Sequence, residues 1–185
     1  MPYTDGIRAV AFLLGLSLQA SHGGSLVNEM RRLGVRSALI VASEAVDESP
    51  VWSPTGDAIA ANIEGQWKSI DLRNPKLVKG KWHGDEPIGA LESPSLITIS
   101  EAEVRNWAKT RIAGPREVVA KDGTKAQLLS EELGTRLVIT RHGTAPETLW
   151  TTSLENCHGL ALSPDGQQVA YVCELNGVIV TNLGQ

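Results

Sequence analysis

Residues 51–60 read Val51-Trp52-Ser53-Pro54-Thr55-Gly56-Asp57-Ala58-Ile59-Ala60, and residues 161–170 read Ala161-Leu162-Ser163-Pro164-Asp165-Gly166-Gln167-Gln168-Val169-Ala170. Each stretch runs from an apolar segment through Ser-Pro-x-Gly into a second apolar segment. The turn has a physical basis: proline fixes φ at the first corner, Thr or Asp tolerates the second, and glycine supplies a positive φ. Apolar runs on both sides make each stretch a β-hairpin signal. A further strand closes each unit, at Ile70-Asp71-Leu72 and at Thr181-Asn182-Leu183.

Two weaker copies lie between these. Gly89-Ala90-Leu91-Glu92-Ser93-Pro94, followed by Leu96-Ile97-Thr98-Ile99, predicts the same hairpin without its glycine. Gln127-Leu128-Leu129-Ser130-Glu131-Glu132-Leu133-Gly134, followed by Leu137-Val138-Ile139-Thr140, keeps the serine and the glycine, with residues 147–152 as its third strand. The four turns recur at spacings of about 39, 38 and 33 residues. Fourth strands fit at residues 77–82 and 117–121. Four antiparallel strands in units of about 40 residues is the pattern of a β-propeller blade. The expected fold is therefore all-β, a small propeller of about four blades, possible also as an open or partial ring.

Trp52-Ser53-Pro54-Thr55-Gly56 and Leu162-Ser163-Pro164-Asp165-Gly166, each leading into an apolar strand, resemble the repeat of TolB-type β-propellers. The same repeat occurs in the propeller domains of prolyl-oligopeptidase-like proteins, and Asp47-Glu48-Ser49-Pro50 adds the acidic-Ser-Pro lead-in common there. The two clear copies cover about 45 residues, and the weak ones extend the likeness over residues 35–183. The resemblance implies a fold and says little about activity. Family propellers have six or more blades, and neither the N-terminal domain of TolB nor an oligopeptidase hydrolase domain has a counterpart here.

An open stack of blades leaves unpaired edges. Residues 35–42 (VRSALIVA) form an apolar strand ahead of the first copy, and the last copy lacks an outer strand. Pairing residues 35–42 with 177–183 would make a composite blade and close the ring. Residues 26–30 read either as a strand or as one helical turn.

Upstream, residues 9–18 (AVAFLLGLSL) are uncharged and apolar, with Arg8 before them and small residues after. Ten residues fall short of the roughly 20 that a bilayer helix needs and match the core of a secretory leader. Residues 1–23 are expected to be a signal peptide and 24–185 a single propeller-like domain, which places the protein in the periplasm or outside the cell.

Cys157 and Cys173 flank the last turn, each eight residues from Asp165. Symmetry about that turn sets them opposite or nearly opposite on paired strands, within disulfide reach. A one-residue slip would instead put them on opposite faces. In an oxidising compartment a bridge between them is expected.

The whole chain has 185 residues, 42% of them hydrophobic, and a net charge of −4. That acidity argues against a nucleic-acid grip, which needs a basic face. No Gly-x-Ser-x-Gly elbow, phosphate loop or His/Cys ligand spacing is present, so no catalytic, cofactor or metal site is expected. Trp67, Trp107 and Trp150 recur in the expected third strands and read as packing elements between blades. Trp82, His83, Asp85 and Glu86 end a fourth strand and its loop, where an exposed tryptophan would anchor a partner. The leading functional expectation is an exported, non-catalytic protein-binding domain. It would act through loops on one propeller face, as an envelope assembly factor or as an inhibitor or immunity protein of a periplasmic enzyme. The alternative is an enzyme whose site assembles from loops at the propeller axis.

Overall fold

The computed structural model describes residues 24–43, 46, 48–83, 86–132, 134–153 and 156–184. The expected leader, residues 1–23, lies outside them.

The chain enters through helix α1 (Gly24–Leu33), which settles the ambiguity over residues 26–30. Leu26 and Met30, one helical turn apart, share its buried side. Gly34 N–H to Arg31 O and Val35 N–H to Met30 O then close the helix as a Schellman cap. Strand β1 (Ser37–Val41) follows. The first repeat folds as β2 (Val51–Trp52), β3 (Ala58–Ile63) and β4 (Gln66–Asp71). After it come β5 (Leu77–His83), β6 (Glu86–Leu91), β7 (Leu96–Thr98) and helix α2 (Glu101–Ala108). The next stretch holds β8 (Ile112–Gly114), β9 (Glu117–Val119), β10 (Lys125–Glu131), β11 (Gly134–Thr140) and β12 (Glu147–Ser153). The last repeat is β13 (Cys157–Leu162), β14 (Gln168–Cys173) and β15 (Gly177–Asn182).

The two clear repeats share one backbone hydrogen-bond pattern. Ser53 N–H donates to Ala58 O at 2.9 Å, and Ser163 N–H to Gln168 O at 2.9 Å. Each serine hydroxyl accepts the returning N–H, from Ala58 at 3.1 Å and from Gln168 at 3.0 Å. Gly56 and Gly166 adopt φ of 75° and 71°, the left-handed conformation the turn requires. The third strands then bind back alike, Leu72 N–H to Asp57 O and Leu183 N–H to Gln167 O, both at 2.8 Å. Serine is therefore used as a cap inside the turn, which explains why both Ser53 and Ser163 are buried.

Three sheets result, and none of them closes on itself among the described residues. Seven strands run in the order β5-β6-β1-β15-β14-β13-β8, four as β12-β11-β10-β9, and four as β2-β3-β4-β7. The pairing anticipated between residues 35–42 and 177–183 is present: Ser37 faces Thr181, Ala38 faces Val180 and Leu39 faces Ile179, antiparallel.

The central strands are buried on both faces, so β14 and β15 read as near-continuous apolar runs. Their side chains divide by parity. Ala170, Val172, Val178 and Val180 meet α1 and the first-repeat sheet, including Trp52, Ile59 and Ile70. Val169, Tyr171, Cys173 and Ile179 meet the β9–β12 sheet through Leu128, Leu137, Ile139 and Leu149. On the far side of the first-repeat sheet, Val104 and Trp107 of α2 pack with Val51, Ala60 and Trp67. Helix α2 thus covers that face of the first-repeat sheet.

Several sequence expectations change. Residues 89–91 and 96–98 form no hairpin with each other. Gly89 pairs in parallel with Ala38 on β1, whereas Leu96–Thr98 joins the edge of β4. Residues 77–82 do form a strand, but β5 pairs with β6 rather than completing the first repeat. Trp107 is helical. Ser100 caps α2 by accepting the Glu103 N–H at 3.2 Å, and Ser100-x-x-Glu103 is the capping-box pattern that announces such a helix. Trp67 and Trp150 do lie in the third strands of their units.

Candidate functional site

The bridge between Cys157 and Cys173 is formed, with the Cα atoms 4.1 Å apart and both residues fully buried. What sets them opposite is a bulge. Near the turn, Leu162 faces Val169 and Ala161 faces Ala170; continued unbroken, that register would put Cys157 opposite Glu174. The pairing shifts by one residue between His158 and Ala161, so that Cys157 faces Cys173. Gly159 sits in this shift with φ 71°, and its N–H donates to Pro115 O at 2.8 Å. Glycine at such a position is the signature of a bulge that reorients the strand. The bridge closes a loop of sequence separation 16 and contributes about 3 kcal/mol in the chain-entropy account.

The residues expected to bind a partner occupy the β5–β6 hairpin. Its register sets Trp82 opposite Pro87 and His83 opposite Glu86, at the edge of the seven-stranded sheet. Asp85 lies outside the described residues. Exposed Glu86 and Pro87 line a cleft of about 800 Å³ with Arg31, Arg36 and Asn182. Three other clefts among the described residues hold about 190–210 Å³ each. Arg36, which lines this cleft, and Arg141 both bind Glu147, at 3.3 and 2.8 Å, and Arg141 also donates to Leu183 O. The hydrogen bond from Arg141, followed by that from Arg36, holds the Glu147 carboxyl below its usual range. Arg32 ties α1 to β5 by donating to Glu29 at 2.7 Å and to Leu77 O at 3.3 Å.

At another part of the molecule the two repeat turns lie against each other. The Trp52 indole N–H donates to Ala161 O at 2.9 Å inside the core. A Cβ built on Gly56 would stand 3.4 Å from Pro164 Cδ, and one on Gly166 would stand 3.7 Å from Ala120 Cβ. The acids of these turns are held locally. Ser53 and Thr55 hydroxyls bind Asp57, the Ser163 hydroxyl and Gln167 N–H bind Asp165, and Thr124 binds Asp122 through its N–H and hydroxyl. The Thr55 hydroxyl does most to lower the Asp57 pKa, with a further contribution from Ser53. Ser163 is thus a turn cap. Among the described residues no group of three His, Cys, Asp or Glu is placed to hold a metal ion.

The large exposed apolar side chains of the described residues are Val78, Leu96, Ile97, Val119 and Leu175. Four of the five sit on edge strands: Val78 on β5, Leu96 and Ile97 on β7, Val119 on β9. Strand β7 is exposed at all three of its positions. Sequence reading missed it because it took residues 96–98 as half of an internal hairpin, which would have paired and covered them.

No family model matches the chain, and neither a curated protein nor a solved structure is detectably similar to it.

Proposed function

We propose that this chain is an exported, non-catalytic protein-binding domain of the cell envelope, built as a partial TolB-like propeller. It would serve there as an assembly factor or as an inhibitor of a periplasmic enzyme. The observation that carries the reading is the outer edge of β7. There an edge strand presents Leu96 and Ile97, 43% and 58% exposed, with β4 on its inner side alone. An apolar strand edge is costly to leave bare and is the template on which an extended segment of another protein adds as a further strand. The buried bridge between Cys157 and Cys173 supports an oxidising compartment. The apolar run at residues 9–18 supports export, and no helix among the described residues is long and apolar enough to cross a membrane. The Ser-Pro-x-Gly repeats support the propeller reading, with α2 covering one face of the first-repeat sheet.

The test is crosslinking of the purified chain to an envelope extract, comparing wild type with Ile97→Lys and Trp82→Ala. A discrete partner captured by wild type and lost with Ile97→Lys is the expected result. Loss with Trp82→Ala alone would move the contact to the β5–β6 hairpin. Equal capture by all three proteins, or none by wild type, would reject binding through these edges.

A further inference from the structure

The free edge of β7 is specific as well as apolar. Ile99 N–H donates to Trp67 O at 3.1 Å, and the antiparallel register sets Ile97 opposite Ser69 and Thr98 opposite Lys68. Bonded and non-bonded pairs alternate along such a ladder, so Ile97 and Ile99 turn their backbone groups to β4 while Leu96 and Thr98 turn theirs outward. That leaves two N–H donors and two C=O acceptors for an added strand. Pro94, two residues before Leu96, has no N–H, and Ser100, two residues after Thr98, already caps α2. The usable edge is therefore short. An antiparallel strand satisfies all four groups with two of its own residues, whereas a parallel one needs three.

Side chains alternate across this edge. Leu96 and Thr98 stand on the face of Ile70, and Ile97 and Ile99 on the face where half-buried Trp67 and Trp107 pack. Lys68 leans across β7: its ammonium donates to Thr98 Oγ1 at 2.7 Å and to Gln66 Oε1 at 3.0 Å, and it has no ion pair among the described residues. An ammonium carries three N–H donors, so one remains. Strands lie about 4.8 Å apart, which brings a carboxylate on a strand beside Thr98 within reach of Nζ. We propose that the β7 edge takes an antiparallel extended segment of another protein, with Glu or Asp opposite Thr98 and apolar residues opposite Leu96, Ile97 and Ile99. The inference rests on strand addition at β7 as the mode of binding. A second copy of this chain does not meet the requirement, because its β7 reads Leu96-Ile97-Thr98 and brings no acid.

The isotope-labelled full-length chain, its disulfide intact, is titrated in an NMR experiment with the capped peptide Thr-Val-Glu-Val-Ile-Thr and with its counterpart carrying Lys in place of Glu. Expected is saturable binding of the acidic peptide, at least about threefold tighter than the lysine peptide, with slowed exchange of the Leu96 and Thr98 amide protons. N-methylation of the peptide's Glu, whose N–H points at Thr98 O, should weaken binding about tenfold. N-methylation of the Val after it, whose N–H points away, should leave binding intact. Lys68→Gln should bring the two peptides to equal affinity at an unchanged melting temperature, since Gln keeps a donor for Thr98. Ile97→Lys should weaken the acidic peptide through its lost apolar contact. Equal affinities in wild type, or a preference that survives Lys68→Gln, overturns the acidic register. Equal effects of the two N-methylations, or no binding up to about 5 mM, overturns it too. Concentration-dependent protection of the same two amides without peptide would assign the edge to a second copy and overturn the proposal. The broader reading of β7 fails separately, when capture of an envelope partner survives Ile97→Lys.

Discussion

Replacing Gly159 by alanine tests whether the bulge, rather than the symmetry of the turn, pairs the cysteines. The position has φ 71°, and forcing an L-residue into that left-handed conformation costs about 1–2 kcal/mol. A Cβ there would also stand 2.9 Å from Ser49 Cα and 2.8 Å from Ser49 Oγ. The hydroxyl can rotate away, but the Cα is backbone and cannot, so overpacking adds about 1–3 kcal/mol. The sum, roughly 2–5 kcal/mol, lowers the melting temperature by about 4–20 °C for a chain of this size. Gly123→Ala is the matched control, because Gly123 has φ 83° and open space around its would-be Cβ. It carries the strain alone, about 1–2 kcal/mol. The second readout is the thiol count after reduction, refolding under oxidising conditions and denaturation without reductant. A strand that avoids the strain by losing the bulge sets Cys157 opposite Glu174, so Gly159→Ala should yield a fraction with two free thiols while Gly123→Ala yields none. Equal melting of the two variants, with the bridge complete in both, would refute the reasoning.

Two further outcomes follow from buried and charged groups. The Thr181 hydroxyl lies 2.8 Å from both Ser37 Oγ and Tyr171 Oη, joining β1, β15 and β14 inside the core. Thr181→Val keeps the shape and removes the shared partner, so urea unfolding should show a loss of about 1–3 kcal/mol at constant m-value. Glu147, held below its usual range by Arg141 and Arg36, stabilises the fold fully above the ordinary glutamate value near 4.5, and that contribution is lost as pH falls through its depressed folded value. Glu147→Gln should therefore flatten the acid limb of the stability profile, leaving its slope unchanged between pH 6 and pH 8; an unaltered acid limb would show that the Arg–Glu cluster contributes nothing.

The sequence by itself determined what depends on neighbours along the chain. Ser-Pro-x-Gly dictates its own turn, because proline, glycine and the serine hydroxyl satisfy that geometry within six residues, and both copies fold alike. Residues 35–42 announced themselves as an apolar strand in need of an edge, and they found it on β15. The helix at residues 101–108 was equally legible from Ser100-x-x-Glu103, and was missed because an expected repeat was laid over it. Tertiary structure decided where strands went once several edges competed for them. Residues 96–98 match their neighbours' hairpin pattern, yet β4 offered an open edge and β1 took Gly89, where a Cβ would crowd Val35 and Leu77. The cysteines show the same division at the scale of one residue. Their distance from the turn brought them near each other, but the backbone of Ser49, lying against Gly159, accompanies the bulge that set them face to face. Register within a turn is a local quantity; register beyond a bulge depends on what packs against it.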